Sequence, residues 1–333
     1  MTSSTTARIY RGTPRNLAML ANQLRKGRLV AVPTETVYGL AANALDPRAC
    51  RRIFRAKGRP TTDPLIIHIH HLDQLEVIAK SNPTALRLAE AYWPGPLTLI
   101  LPKMAIVPDL VTAGLDSVAV RIPRHALLRR LLKKCGLPLA APSANTFGYI
   151  SPTTADHVRS GLGRKIRHIL NGGPCVIGLE STIVDVRNPD KIQVLRPGAI
   201  TAAQLSATLG VAVAGFQPKP AKPGNRQLAP GLLSRHYSPK TKMFLHRTLS
   251  VDAIAKFGTS DAVLCYAKPN IPIEANIFWL DEKGDQEKAA HRLFDRLRFL
   301  DDQGYAAIQA EMAPPGPLAE AINDRLRRAA NRD

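Results

Sequence analysis

Short apolar runs rich in β-branched residues alternate along the chain with stretches whose apolar positions recur every three or four residues. The first kind predicts strands at 29–32, 65–69, 97–101, 117–123, 139–141, 166–170, 183–186 and 193–195. The second predicts helices at 16–26, 48–56, 72–79, 83–92 and 125–134. Gly27 reads as the C-cap of the first helix, and Trp93-Pro94-Gly95-Pro96 stops the fourth. Ser151-Pro152-Thr153 reads as a further helix start. A period of two puts Ser117, Ala119 and Arg121 on one strand face. Many short strands alternating with helices predict an α/β fold.

The pattern breaks at 216–242, which holds five prolines, six Lys or Arg and no acid and reads as a semi-extended linker. Strand patterns at 262–266, 277–280 and 306–310 then alternate with helical ones at 286–300 and 318–329. The expected organisation is a domain over 1–210, a linker over 211–242 and a small α/β domain over 243–333. The second domain shows no catalytic constellation.

Net charge is +20, but residues 1–251 carry 35 basic and 12 acidic side chains and residues 252–333 carry 11 and 14. All the surplus therefore sits in the first part, as in a domain that handles phosphates or nucleic acid. Four widely spaced cysteines with no CxxC pair read as reduced core thiols of a cytosolic protein. No apolar run approaches the ~20 residues of a membrane span. The start, MTSSTTARIYRG, is Ser/Thr-rich and basic like an organellar leader, though very short for one.

The stretch 33–71 carries the densest chemistry. A polar turn, Thr34-Glu35-Thr36, leaves the 29–32 strand, where α/β proteins commonly hold ligands. Lys57-Gly58-Arg59-Pro60 reads as an exposed loop whose two fixed cations suit a polyanion. The chain has no GxxxxGK[ST], no GxGxxG opening a helix and no GxSxG. A nucleotide would therefore be held by scattered cations and hydroxyls, and Ser143 is a poor hydrolase nucleophile. His68, His70 and His71 invite a metal reading, but no Cys pair or second His cluster completes a zinc site, so no metal ligands are assigned. Taken singly, Thr36, Arg121 and Ser143-x-Asn145 have ordinary structural roles.

Together, PTETVYGLAANA, KGRPTTDPLIIHI, WPGPLTLIL, DSVAVRIPRH, AAPSAN, GLESTIVDV, LRPGAI and APGLLSRHYSP occur in order over residues 28–240. The chain thereby resembles the L-threonylcarbamoyladenylate synthases, the YrdC-type family, in its two-domain long form. The resemblance implies a twisted mixed-sheet YrdC-like catalytic domain with a smaller Rossmann-like α/β C-terminal domain. It implies a nucleotidyltransferase that makes threonylcarbamoyl-AMP and pyrophosphate from L-threonine, bicarbonate and ATP. Mg²⁺ is expected mainly on the ATP phosphates. A downstream tRNA threonylcarbamoyltransferase complex is the implied partner, and direct contact with tRNA stays open. By the same resemblance, Thr36, His68, Arg121, the Ala141 backbone and Ser181 should hold L-threonine. ATP should meet Arg59, Asp63, Ser117, Ser143, Ser151 and Arg196, and the catalytic KxR…SxN signature is Lys57, Arg59, Ser143 and Asn145. Pro230, His236 and Tyr237 should fold over the nucleotide as a lid. Two rivals remain: an RNA-binding or ribosome-maturation module using the basic surface, and a carbamoyltransferase, whose usual acylphosphatase-like and zinc-finger segments are absent here.

Overall fold

A computed structural model describes residues 6–218, 225–232 and 236–331. The first five residues of the leader-like start lie outside this set, as do 219–224 and 233–235 of the Pro-rich segment. A ten-stranded sheet forms the larger layer. From edge to edge its strands are Arg8–Arg11, His168–Asn171, Val30–Val32, Gly39–Asn43, Leu139–Ala140, Ile66–His68, Ser117–Arg121, Leu97–Pro102, Thr182–Asp185 and Gln193–Arg196. Parallel and antiparallel pairs are mixed. The second sheet is all parallel, in the order Lys242–His246, Ala307–Glu311, Asp261–Ala267, Ile277–Asp281. The fold is the expected mixed α/β architecture with a smaller parallel α/β unit.

Local chemistry explains the helices that position the site. Pro47–Lys57 starts where the Asp46 side chain accepts the Arg48 N–H, with proline in its first turn, and ends on left-handed Gly58. Its buried face is Ala49, Cys50, Ile53, Phe54, Ala56 and Lys57, which leaves Arg48, Arg51, Arg52 and Arg55 in solvent. The loop expected to be exposed at 57–60 is a correction: Lys57 is 1% and Arg59 6% exposed. The helix expected to start near Ser151 begins instead at Ala155, because Thr154 supplies the cap for the His157 N–H. All four cysteines are buried and free.

Three strands escaped the periodicity reading: Arg8–Arg11, Gly39–Asn43 and Lys242–His246. Gly-Leu-Ala-Ala-Asn has little intrinsic strand preference and pairs only because Val30–Val32 and Leu139–Ala140 flank it.

The two units are joined closely. Helix Gln286–Asp302 packs so near Gly178 that a Cβ there would lie 2.5 Å from the His291 carbonyl oxygen, and Gly178 also has φ +80°. Tyr149 donates to Asp301 at 2.7 Å, and the Ser238 hydroxyl donates to the Arg328 carbonyl at 3.2 Å. No helix among the described residues is long and apolar enough to cross a membrane.

Candidate active site

Strand ends, turns and the Pro-rich segment converge on one cavity. Thr36 reaches it from the turn after Val30–Val32, and His68 and Arg121 from the ends of two paired strands, where they stand in register. Ala141 and Ser143 follow the strand Leu139–Ala140, while Ser181 and Arg196 come from the antiparallel pair at the other side. Arg59, Pro230, His236 and Tyr237 complete the wall. The Ala141 N–H is already donated to the Ile66 carbonyl at 3.0 Å. Only about 40 Å³ of open space remains between these groups.

On the wall assigned to the amino acid, Arg121 donates to Glu35 at 2.5 Å, to Thr36 Oγ1 at 3.1 Å and to the Gly95 carbonyl at 3.1 Å. Burial would raise the Glu35 pKa, but the Arg121 guanidinium and backbone N–H groups hold it below the usual carboxylate range. Glu35 thus presents to Arg121 the carboxylate chemistry expected of a threonine ligand. Burial and the nearby Arg121 push the His68 pKa down to about 3, so His68 is a neutral imidazole at neutral pH. His70 and His71 do not line the cavity, and exposed His71 pairs with Asp73.

The cations assigned to phosphates are buried and engaged. Arg196 donates to the Ser181 carbonyl and hydroxyl at 2.9–3.1 Å and to the Pro230 carbonyl at 3.2 Å. Burial lowers its pKa to about 10. Arg59 donates to the Asp63 and Pro64 carbonyls and pairs with the Asp63 carboxylate at 2.9 Å. Burial lowers the Arg59 pKa and raises that of Asp63, and their pairing opposes both shifts.

Lys57, Asp63, Asn145, Ser117 and Ser151 do not line the cavity. Lys57 Nζ donates to the Ser143 and Asn145 carbonyls, both at 2.6 Å, and to Asn145 Oδ1 at 3.3 Å. Burial and the adjacent Arg59 push its pKa well down, and these three acceptors favour the ammonium. In this conformation Lys57 therefore shapes the Pro142–Asn145 turn from behind. Ser117 starts the strand that ends at Arg121, roughly 13 Å along the chain at the usual strand rise.

Sequence reasoning gave Glu35 no partner and assigned no role to Glu180 or the distant arginines. Glu180 accepts from the Ser151 hydroxyl at 2.6 Å and from Arg325 at 3.0 Å, and Arg325, on helix Ala319–Ala330, is fully buried. The Arg325 guanidinium also lies 5.5 Å from the Tyr237 ring centre and pairs with Asp324. Arg298 donates to the carbonyls of Ile150 and Ser151. A signal existed: Arg325 sits on the apolar stripe between Ala321 and Ala329, where a charge needs a buried partner.

Two family profiles match this chain. The Sua5–YciO–YrdC profile, described as telomere recombination, matches residues 22–198, and the threonylcarbamoyl-AMP synthase C-terminal domain matches residues 200–331. The threonylcarbamoyl-AMP synthase of Pyrococcus abyssi is 41% identical over 328 residues, covering 94% of each chain. That of Bacillus subtilis is 37% identical over 330 residues, covering 94% of this chain and 92% of its own. The chain belongs to the threonylcarbamoyl-AMP synthase family. Among solved structures, Pyrococcus abyssi Sua5 complexed with L-threonine superposes with a TM-score of 0.88 at 38% identity, covering 97% of this chain and 98% of that one. Escherichia coli YciO, at TM-score 0.51 and 22% identity, shares the fold over 58% of this chain and 96% of its own. In threonylcarbamoyl-AMP synthase terms, the cavity is lined mostly by the YrdC-type domain, is closed by Pro230, His236 and Tyr237 of the segment matched by the C-terminal profile, and is braced by arginines further along it.

Proposed function

We propose that this cavity is where the enzyme condenses L-threonine, bicarbonate and ATP into threonylcarbamoyl-AMP and pyrophosphate. The observation that carries the assignment is convergence: groups as far apart in sequence as Thr36, His68, Arg121, Ser143, Ser181, Arg196 and Tyr237 meet around one small space. The threonine amine takes up carbonate carbon with loss of water, giving a carbamate. A carbamate oxygen then attacks the α-phosphorus in line, and the bond to the β-phosphate breaks to release pyrophosphate. No covalent nucleophile is needed, so the protein's contribution is positioning and positive charge. Arg121 would exchange Glu35 for the threonine carboxylate, while neutral His68 and the Thr36 and Ser181 hydroxyls fix the amine and side chain. Arg59 and Arg196 would exchange backbone carbonyls for phosphate oxygens, with Ser143 beside them, while Ser151 stands behind the wall and holds Glu180. Lys57 and Asn145 hold the turn that aims Ser143.

No cluster of three His, Cys, Asp or Glu side chains among the described residues could hold a metal ion. Glu35, Asp63 and Glu180 are each bound to an arginine. We therefore assign Mg²⁺ to the ATP phosphates, where it would neutralise their charge.

The linker residues support a lid. Arg196 holds the Pro230 carbonyl, His236 and Tyr237 rings lie 4.0 Å apart, and Tyr237 stacks on Phe294 at 5.3 Å. Tyr237 also adopts φ +62°, a strained value for a bulky residue. The remaining space is far below the ~300 Å³ at which ligand pockets begin, so this lid must lift to admit ATP. Closed, it would keep water from the mixed anhydride. Removing 228–240 should cut synthesis or hasten product hydrolysis, and unchanged turnover and product lifetime would refute the lid.

The product would pass to a tRNA threonylcarbamoyltransferase complex, and the free buried cysteines support a cytoplasmic location. Pyrophosphate release that requires threonine, bicarbonate and ATP together tests the whole reading. Salt-sensitive RNA affinity without that activity would return the RNA-binding alternative.

A further inference from the structure

A groove of about 700 Å³ shares no lining residue with the catalytic cavity. Arg28 enters it ahead of one strand, Arg52 and Arg55 from helix Pro47–Lys57, and Lys165 and Arg167 ahead of another strand. All five side chains are exposed and none forms an ion pair among the described residues, although Arg28 donates to Gln23 and Arg52 to the Gly27 carbonyl. No carboxylate among the described residues lines the groove. Its floor is apolar, from Leu29, Ala56 and Ile166. His168, at one wall, has both ring nitrogens sheltered and without a hydrogen-bond partner. Five like charges converging without a counter-charge repel one another, and a bound polyanion would relieve that repulsion.

We propose that this groove is a second binding site, taking the polyphosphate of a nucleotide-sized anion over the apolar floor. The volume lies within the ~300–1,000 Å³ of small-ligand pockets. Cations from three separate segments surround one concavity, whereas surfaces that follow a nucleic-acid backbone string their cations along an extended track. Guanidinium forks suit phosphate oxygens, and an unpartnered imidazole adds a donor.

The test is equilibrium dialysis of the full chain with ATP, with inorganic tripolyphosphate as competitor. Two ATP per chain are expected. Combined Arg55→Gln, Lys165→Gln and Arg167→Gln should weaken one site by about 30-fold or more while threonine-dependent synthesis persists, which also shows that the variant folds. Arg59→Ala should instead weaken the other site, so the cleft assignment and the groove fail separately. Arg55→Glu alone should reproduce the groove defect. Three results would overturn the proposal. One is a single ATP site, lost with Arg59→Ala and kept in the groove variant. Another is two sites that both survive the groove substitutions. The third is an RNA of about 20 nucleotides whose binding needs these cations while ATP fills only one site, which would make the groove an RNA surface.

Discussion

Ala56 lines the groove and Lys57, the next residue, stands behind the proposed catalytic cavity, yet the cations of the two regions differ in burial. In the cleft, Lys57, Arg59, Arg121 and Arg196 are buried and each is bonded to fixed acceptors. In the groove, five cations stand in solvent without ion pairs. Desolvation explains the difference. A buried charge needs several well-placed partners to offset the loss of water, and those partners make its position rigid. An exposed charge needs fewer: Arg52 donates to the Gly27 carbonyl and Arg28 to Gln23, and water solvates the rest of each head group. Preorganised charge suits a transition state and adaptable charge suits binding.

The largest effect expected from disturbing the rigid region is at Arg325. Arg325→Met strands the Glu180 carboxylate and loosens Ser151 and Tyr237, and should cost about 3–5 kcal/mol in urea unfolding. The surviving folded enzyme should show a raised KM for ATP with a nearly unchanged KM for L-threonine. An equal rise in both would contradict the expectation that Ser151, which Arg325 steadies through Glu180, belongs to the nucleotide side. Arg59→Ala should lower kcat by about 10²–10³-fold, the usual scale for losing preorganised charge. A mere KM change in steady-state assays would place Arg59 outside the reacting centre.

Acidification probes the same rigidity. His68 is held neutral with its pKa near 3 by burial and Arg121, and burial with Arg59 and Lys57 moves His236 the same way. In the unfolded chain each takes a proton near its ordinary pKa of about 6.5, so below that pH the unfolded state binds more protons. Stability therefore rises with pH and is lost on acidification. Between pH 7 and 5 the loss from His68 should approach about 2 kcal/mol, read from urea midpoints, His236 should add to it in the same direction, and His68→Gln should remove its share. The groove should give the smallest effect: Arg55→Gln ought to change stability by less than about 0.5 kcal/mol and leave synthesis intact. A larger loss would mean that the groove cations are structural after all.

Much of this was legible from the chain alone. Apolar periodicity located the helices Pro47–Lys57 and Pro83–Tyr92 and the strands around Ile66–His68 and Leu97–Pro102 to within a residue or two. Eight ordered motifs pointed to the family, because this chemistry needs particular cations and hydroxyls in particular turns. The small-residue strand Gly39–Asn43 was not legible, since its pairing depends on neighbours brought together only by folding. Nor was the burial of Lys57 and Arg59, because a Lys-Gly-Arg-Pro loop has the same composition in solvent as under a lid.

By itself, then, the sequence determined most of the element pattern and the family, since these depend on local periodicity and side-chain chemistry. Only the tertiary structure decided which cations lose their water. It also decided that Arg298 and Arg325, more than a hundred residues from Ser151 and Glu180, brace that side of the cavity. Desolvation and long-range pairing arise from packing between distant segments, and no local pattern encodes them.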